Sequence, residues 1–592
     1  MKKNHPFSLP QTSFGRTVLS LLITLAVGAV YFYVSLPALN PQDGEFYGFV
    51  GFLCLIYVIC VFIFSGRPHD NNATTPAENL RSWLHFIRRR CLPAGLLFVG
   101  LLAVAAVGAV LSMPVFRAGA YRELLQVQDG SFSEDVAQIS FSEIPTLDRT
   151  SAEYLGDRQM GTLSDMVSQF EYSNDSTQIN YQGRPVRVAP ISYADLFKWI
   201  TNRRSGLPAY VVVDMVSQEA TVVRLPEGMK YSFSEPLNRN ILRHLRFSYP
   251  TFMFSTPEFE VDEDGHPWWI APRLVKTIGL FGGADIRGAV LVDAVSGESR
   301  YYEKVPTWVD TLYNPDLIMQ QYNYHGTLVR GFINSVLGQR DVTMATRGYN
   351  YIAMNDDVYA YTGVTSANSD QSNLGFLLCN MRTKETHFYS APGATEAAAM
   401  QSAMGVVQDL GYQATFPLLL NIAGQPTYFI PLKDATQLVK MYAMVNVAQY
   451  QIVATGSSVP ACEQSYVRML ADKGVTQPQQ RPETQSQGSI EEIRSAVLDG
   501  TTYYFLRLRS EEAFYAVSAA ENRTAVTLNP GDEVIIDHAP PSVEAESAIL
   551  DGYRFTLIRR AAPQAPALEE PLPAAQSEPS KEASPKPAGE TP

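Results

Sequence analysis

Three long apolar stretches, followed by shorter alternating ones, divide the chain into two regions. The uncharged runs 17–39, 46–65 and 92–116 are each near or above the ~20 residues that a helix needs to cross a bilayer. We therefore predict three transmembrane helices within a membrane anchor formed by residues 1–120. A cleaved signal peptide is the alternative for the first run, but that run exceeds a signal core in length and no A-x-A site follows it.

Basic residues are unevenly distributed around these runs. Three precede the first run, the connection 40–45 has none, and the next connection has five, among them Arg88, Arg89 and Arg90. Lys and Arg favour the cytoplasmic side. We therefore predict a multi-pass protein of the plasma membrane with a cytoplasmic N-terminus and the bulk of the chain outside.

The third run is rich in small residues, which let helices approach closely. These residues are Gly95, Gly100, Ala103, Ala106 and Gly108. Packing among the three helices and formation of an oligomer are both open. No ionisable residue lies inside a predicted span, which argues against a transporter or proton pump.

A strand pattern recurs beyond residue 120. Segments 209–223, 289–302 and 376–389 each contain an apolar strand, then Asp or Asn, two residues, Ser or Thr, one residue, Glu and a second strand. An Asp or Asn side chain can accept hydrogen bonds from the backbone just ahead and so start a tight turn. We therefore predict a β-hairpin in each segment.

A second motif is a glycine turn that leads into an aromatic-rich strand. It occurs as GHPWWIAP at 265–272 and GQPTYFIP at 424–431, and in looser form at 348–354 and 500–506. Amphipathic helices are predicted between the strand motifs, at 192–202, 235–246, 314–337 and 394–410. Helices packed on antiparallel sheets make residues 121–473 an extracytoplasmic α+β domain of repeated units.

The repeated unit resembles PepSY-type modules. The resemblance is carried by Asp293, Ser296, Gly297 and Glu298 at the hairpin, and by Gly424, Pro426 and Tyr428 in the first strand. It implies binding, or inhibition of envelope peptidases, by analogy of fold. The whole chain also resembles uncharacterised multi-span membrane proteins of Firmicutes-type bacteria, which implies no activity.

The C-terminal part has a different composition. Residues 474–488 are rich in Gln, Pro and Thr and are predicted to be a linker. Short strands over 489–560, including one at 524–528, predict a small all-β barrel or sandwich of OB or SH3 type. Residues 561–592 are rich in Pro, Ala and Glu and are predicted to be a disordered tail.

Composition and charge exclude some partners and sites. The net charge of −13 argues against nucleic acid, which needs a basic surface. Of five cysteines only Cys379 and Cys462 lie in the large domain, where they could form one disulfide. The chain has no CxxC, HExxH or GxSxG motif, so no catalytic residue is assigned, although a carboxylate pair of the glycosidase kind stays open.

Two surface features are candidate binding sites. Asp262 and Asp264, in an acidic segment, offer oxygen ligands for calcium, which is the one cofactor that the sequence suggests. The alternative is a charged hairpin turn ending in Asp-Gly. Trp268 and Trp269 could form a ligand surface by stacking on a glycan, and strand alternation predicts that one faces inward and the other outward. The alternative is packing in the core.

These observations favour a non-enzymatic, membrane-anchored protein of the bacterial cell envelope. Its external part would bind an envelope protein, a peptide or a wall polymer, or act as a scaffold. A cell-wall hydrolase or peptidase with an unrecognised carboxylate site is one alternative. A subunit of a larger membrane complex is the other.

Overall fold

The structure is a computed structural model. It describes residues 13–64, 76–136, 144–354, 356–366, 369–476, 484–498, 501–509, 511–519, 522–538 and 549–560. The chain divides into two compact units, residues 1–477 and 478–592. The first unit contains three long apolar helices and most of the sheets.

Three apolar helices begin the first unit. They are α1 (Ser13–Ser35), α2 (Gly44–Phe64) and α3 (Pro76–Leu111). Each contains a stretch long and apolar enough to cross a membrane, with mean hydropathies of 2.1, 2.6 and 2.6. The three predicted apolar helices are therefore confirmed, while their orientation stays a prediction.

The third helix ends earlier than predicted. α3 stops at Leu111, and Pro114 is the first residue of a separate helix, α4 (Pro114–Arg122). Proline has no backbone N–H, so it can begin a helix but cannot continue the hydrogen-bond ladder of the preceding one. The predicted span 92–116 thus includes the break between α3 and α4 near its end. Strand β1 (Val127–Gly130) and the short helix α5 (Phe132–Asp135) follow.

Four modules of one design make up most of the remaining described residues of the first unit. In each, a helix precedes an antiparallel sheet in which the first two strands both pair with the third, and the fourth and fifth follow in order. Module 1 contains α6 (Arg149–Gly161), β2 (Phe170–Tyr172), β3 (Thr177–Tyr181), β4 (Arg184–Tyr193), α7 (Leu196–Asn202), β5 (Leu207–Asp214) and β6 (Ala220–Met229). Module 2 contains α8 (Ile241–Ser248), β7 (Met253–Phe254), β8 (Glu258–Val261), β9 (Pro267–Ile278), β10 (Gly282–Asp293) and β11 (Ser299–Tyr302).

The other two modules repeat this order. Module 3 contains α9 (Pro315–Thr327), β12 (Thr343–Ala345), β13 (Asn350–Met354), β14 (Asp357–Ser366), β15 (Ser369–Asn380) and β16 (Thr386–Ala394). Module 4 contains α10 (Glu396–Val406), β17 (Gln413–Ala414), β18 (Leu418–Ile422), β19 (Gln425–Lys433), β20 (Val439–Asn446) and β21 (Val453–Gly456). Helix α11 (Val459–Asp472) follows, and β1 adds to the sheet of module 3 by pairing in parallel with β16.

The predicted hairpins share one turn geometry. Asp214, Asp293 and Asn380 each accept hydrogen bonds through Oδ1 from the backbone N–H groups two and three residues ahead, at 2.7 to 3.1 Å. The fourth residue after each is in the left-handed region, with φ of 63°, 79° and 67°. The strands on either side pair antiparallel. An acceptor side chain at the first turn position therefore defines each hairpin, as the sequence predicts.

Replacing Asp214 by Ala is expected to lower the free energy of unfolding by about 1–2 kcal/mol, because two backbone donors lose their acceptor. Replacing it by Asn should cost much less, since Asn380 naturally occupies the same turn position in module 3. The measurement is chemical unfolding of the full chain in lipid nanodiscs, followed by tryptophan fluorescence. Equal losses for the two variants would contradict the role of the side-chain acceptor.

The modules pair through two apolar cores. Modules 1 and 2 share one core, in which Phe259 packs between Tyr210 and Trp269 at ring-centroid distances of 6.1 and 5.3 Å. Modules 3 and 4 share the other, in which Phe376 meets Tyr428 edge-on at 5.8 Å. The modules of the first unit therefore form two two-module bodies, which meet through polar groups and through apolar side chains of both bodies.

The predicted helices differ from the observed ones at their ends. The pattern at 314–337 gives only α9, because the chain turns at Gly331 (φ 81°) and residues 334–338 form one π-helical turn. The pattern at 192–202 begins in β4, and that at 235–246 corresponds to α8, which starts later. The pattern at 394–410 matches α10 and a short 3₁₀ turn.

Among its described residues, the second unit contains five strands that pair in a closed order. They are β22 (Thr484–Leu498), β23 (Thr501–Leu508), β24 (Phe514–Ser518), β25 (Glu533–His538) and β26 (Ile549–Arg559), in the order β22-β23-β24-β26-β25.

Three sequence predictions change in this unit. Residues 484–488 of the predicted linker pair with β25, so they belong to a strand. The predicted strand 524–528 lies largely in a 3₁₀ turn. From Thr501 onward the motif 500–506 falls in β23 of this unit and is not part of the repeated module, while its first residue lies outside the described residues. The OB or SH3 type stays a prediction, and the predicted tail 561–592 lies outside the described residues.

Candidate functional site

A polar pocket of about 310 Å³ lies where the four modules meet. This is the size of a small-molecule site, for which about 300–1,000 Å³ is usual. Its walls include Arg149, Ser176, Thr177 and Arg187 of module 1, Glu258 of module 2, Tyr349 and Tyr351 of module 3, and Phe416 of module 4. The pocket therefore exists only because the two pairs of modules pack against each other.

Arg187 is the central polar group of the pocket. It lies in β4 between Val186 and Val188, whose side chains enter the core, so alternation sends the guanidinium to the opposite face. The residue is 4% exposed. Its Nη1 donates to the carbonyl oxygen and Oγ of Ser176 at 3.1 and 3.2 Å. Its Nε is buried and has no hydrogen-bond partner within the described part of the chain.

The charge of Arg187 persists despite burial. Burial lowers the pKa of this guanidinium, but an arginine starts so far above neutrality that it stays protonated. Two carboxylates of the pocket region are committed elsewhere. Glu153 accepts from Arg149 Nε at 2.7 Å and Ser176 Oγ at 2.8 Å, and Glu258 accepts from Thr177 at 3.1 Å. Arg187 is thus a buried cation whose Nε has no partner among the described residues.

Neutral donors surround this cation. Burial raises the pKa of Tyr349 and that of Tyr351, so both phenols stay protonated at neutral pH and can donate hydrogen bonds. Burial also raises the pKa of Glu258, which favours its neutral form. Phe416 contributes an apolar wall. One buried cation, a second arginine (Arg149) that is paired with Glu153, several hydroxyl donors and an aromatic wall suit a small ligand that carries an oxyanion.

Two further carboxyls lie behind the pocket. Glu260 is fully buried and accepts from the backbone N–H groups of Asp310 and Thr311 at 3.0 and 2.8 Å. Asp310 is 2% exposed and accepts from the backbone N–H of Asn180 at 2.6 Å. Burial raises the pKa of both carboxyls, and the charge of Glu260 raises that of Asp310 further. Asp310 thus contacts Asn180 of module 1, and Glu260 of module 2 contacts Thr311, which lines the pocket.

The two predicted calcium ligands lie in the turn between β8 and β9. Asp262 accepts from the backbone N–H groups of Asp264 and His266 at 3.1 and 2.9 Å, and from Trp268 Nε1 at 3.0 Å. Asp264 is exposed. Within the described ranges, no three His, Cys, Asp or Glu side chains converge as a metal site would require. These contacts support the hairpin-turn alternative for the acidic segment.

The two tryptophans face opposite sides of β9, as alternation predicts. Trp269 is fully buried and donates from Nε1 to the carbonyl of Tyr231 at 2.9 Å, so it belongs to the core. Trp268 is half-buried against Trp308, at a ring-centroid distance of 5.8 Å. A stacking surface could therefore include Trp268 but not Trp269.

The small residues of α3 serve at least one intramolecular contact. A Cβ at Gly108 would lie 2.6 Å from Leu280, which belongs to the glycine-rich connection between β9 and β10. Gly95 and Gly100 have no described atom within 4 Å of such a Cβ. Gly108 therefore packs against module 2, and the oligomer prediction rests on the other small residues.

The cysteines of the large domain do not form a disulfide. Cys379 lies in β15 and Cys462 in α11, and both are free and fully buried. Burial raises the pKa of each thiol to about 12. We expect neither to react with maleimide in the folded full chain and both to react in denaturant, as read by peptide mass spectrometry. Labelling of either under native conditions would contradict the observed burial.

Sequence reasoning missed the pocket residues. The available signal was Arg187 itself, a charged residue in the apolar strand Pro185–Val188. A buried strand position that carries Arg needs a partner, and local pattern does not reveal one. Tyr349, Tyr351 and Phe416 come from distant parts of the chain, so nothing local relates them to Arg187.

Comparisons with known proteins add little to this geometry. No protein-family model matches the sequence, and no curated protein matches it. Among solved structures, a levansucrase of B. megaterium is similar at 8% identity and a TM-score of 0.17, over 73% of this chain and 97% of that one. The levansucrase of Bacillus subtilis is similar at 8% identity and a TM-score of 0.15, over 74% of this chain and 94% of that one. At such TM-scores the likeness carries no argument about fold or activity.

Proposed function

We propose that this chain is a membrane-anchored, extracytoplasmic binding protein of the bacterial cell envelope, and that its inter-module pocket takes a ligand bearing a carboxylate or phosphate group. The observation that supports this most is Arg187, a buried guanidinium whose Nε has no partner among the described residues. An isolated charge is costly to bury. An incoming oxyanion would offset that cost.

Arginine geometry favours this ligand chemistry. A guanidinium presents parallel N–H groups that match the two oxygens of a carboxylate or phosphate. Nη1 of Arg187 is held by Ser176, which orients the group, and Nε is covered by neighbouring atoms, so a ligand would bind that edge only after they move aside. The hydroxyls of Tyr349 and Tyr351 can then donate to the remaining lone pairs of the ligand.

The anchored, non-enzymatic role rests on the rest of the chain. The three apolar helices, together with the basic residues between the second and third, favour an external position for the modules. The PepSY-like pattern favours a protein, peptide or wall polymer as partner. The five-stranded second unit, as an OB- or SH3-like barrel, would supply a second binding module. A wall hydrolase, a peptidase or a subunit of a larger complex remains the alternative.

Calorimetric titration of the full chain in nanodiscs tests this proposal. The ligands are the dipeptide Ala-Ala, its C-terminal amide and inorganic phosphate. We expect the dipeptide acid or phosphate to bind and the amide to bind at least tenfold more weakly. Binding of neither anion, or equal binding of acid and amide, would overturn the oxyanion assignment. Cleavage of the dipeptide would overturn the non-enzymatic one.

A further inference from the structure

Helix α8 lies against the end of the first membrane helix. Arg243 and Arg246 donate from Nε to the carbonyl oxygens of Tyr33 and Leu36, at 3.1 and 2.8 Å. Phe247 meets Phe32 edge-on, with ring centroids 5.4 Å apart. Tyr33 and Leu36 lie at the C-terminal end of α1. This part of module 2 is therefore level with the boundary of the apolar layer.

The end of the third membrane helix is held in a similar way. Ser112, directly after α3, accepts through Oγ from the backbone N–H groups of Leu280 and Phe281 at 2.9 and 3.1 Å. Helix α4 begins two residues later and packs on α9 through Tyr121 and Tyr324, whose ring centroids are 4.7 Å apart. The β9–β10 turn and α4 therefore lie at the same boundary.

Two exposed apolar patches adjoin these contacts. The α7 patch consists of Leu196, Phe197 and Ile200, which are 58%, 77% and 48% exposed. The end of α7 reaches the segment before α8, because Arg239 donates to the carbonyl oxygen of Arg203 at 2.7 Å. The α7 patch is thus linked to the end of α1 through a short path of direct contacts.

The second patch, the π-turn patch, consists of Ile333, Val336 and Leu337, which are 74%, 57% and 81% exposed. The adjacent Phe332 packs in the cluster that contains Tyr121 of α4. The π-turn patch therefore projects beside the end of α3. Large apolar side chains with this exposure rarely face water in groups unless they meet another surface.

Basic residues accompany both patches. Lys198, Arg203 and Arg204 lie on or just after α7, and Arg330 and Arg340 flank the π-turn patch. Asp195 and Asp341 lie in the same two segments, and Asp341 pairs with Arg330, but the basic side chains there outnumber the acidic ones although the chain as a whole carries −13. Apolar side chains next to Lys and Arg are typical of protein surfaces that enter the headgroup region of a membrane with anionic lipids.

We propose that the α7 patch and the π-turn patch insert into the interface of the bilayer that α1 and α3 cross, with anionic headgroups at the neighbouring Lys and Arg side chains. The external modules would then lie on the membrane instead of standing away from it. This surface is separate from the inter-module pocket, so either proposal can fail without the other.

The test uses the full chain in nanodiscs that hold one copy each, with Cys54, Cys60 and Cys91 replaced by Ala. An environment-sensitive fluorophore is attached at Phe197→Cys or Leu337→Cys. The control is Glu263→Cys, an exposed site at the opposite end of β9 from the turn that contacts α3. Lipids with a spin label on the acyl chain quench only fluorophores that reach the bilayer.

We expect at least twofold quenching at positions 197 and 337 and none at 263. Raising the fraction of anionic lipid should increase quenching at 197, and Arg203→Gln with Arg204→Gln should reverse that increase. Quenching at neither patch would overturn the proposal. If the fluorophores at 197 and 337 become buried only in discs that hold two copies, the patches self-associate and the proposal is overturned.

Discussion

Replacing Arg187 by Met is expected to stabilise the ligand-free protein while abolishing oxyanion binding. A buried guanidinium without a carboxylate partner costs folding free energy, and a long apolar side chain fills the same strand position without that cost. We expect the free energy of unfolding to rise by about 2 kcal/mol, because desolvating one buried ion costs several kcal/mol and the two hydrogen bonds lost to Ser176 offset only part of that gain. Binding and stability would then change in opposite directions.

The matched control for this variant is Arg184→Met. Arg184 lies three residues earlier in β4, but its side chain is 74% exposed and pairs with Asp214 at 3.4 Å. Exposed pairs contribute little, so this variant should change neither binding nor stability appreciably. Chemical unfolding and anion titration of both variants in nanodiscs give the comparison. Destabilisation of Arg187→Met with binding retained would show that Arg187 serves the fold alone.

Replacing Asp310 by Asn is expected to stabilise the protein increasingly as pH rises. The pKa values of Glu260 and Asp310 are raised in the folded state, so folding retains protons that the unfolded chain releases above about pH 4. The stability contribution of the pair is therefore fully present at low pH and is lost as pH rises through the folded pKa values. Asn keeps the acceptor for Asn180 and removes one charge.

The expected gain for Asp310→Asn is about 2 kcal/mol at pH 8 and close to none at pH 4, since each unit of pKa shift is worth about 1.4 kcal/mol. Glu260→Gln should behave differently. Both oxygens of Glu260 accept from backbone donors, so an amide NH₂ would face one of them and cost about 2 kcal/mol. Unfolding curves of the full chain at several pH values measure both. A pH-independent effect of Asp310→Asn would contradict the raised pKa values.

The sequence predicted the local elements of this fold well. The apolar runs correspond to α1, α2 and α3 because a run of that length and composition has few other stable states. The hairpin turns at Asp214, Asp293 and Asn380 were predicted because an Asx side chain acts on its own next few residues. Such signals are local, so a single sequence is enough to reveal them.

The repeat was only partly recognised from its motifs. Gly183-Arg184-Pro185 opens β4 in the way that Gly265-His266-Pro267 precedes β9, and both glycines have positive φ, of 76° and 79°. In module 4, Asn446 accepts from the backbone N–H of Gln449 at the turn after β20, in place of the longer Asp motif. The motifs of modules 1 and 4 differ at single positions, so the sequence alone did not reveal every copy of the repeat. The order of strands is nevertheless the same in all four modules.

The pocket was not predictable in the same way. Arg187, Glu258, Tyr351 and Phe416 come from four modules and meet only after both pairs of modules have packed. The predicted ends of some helices were wrong for a related reason. The pattern 314–337 stays apolar past Thr327 because Ile333 and Leu337 are exposed at a surface, not because they continue α9. Both the pocket and the end of α9 depend on contacts between distant parts of the chain, which local sequence patterns do not contain.

An anomalous difference map from crystals of the full chain soaked in selenate tests the central claim most directly. Selenate presents the oxyanion geometry to which Arg187 is suited, and selenium marks its position. We predict a peak in the inter-module pocket within hydrogen-bond distance of Arg187 Nε. Occupied surface sites together with an empty pocket would contradict the account.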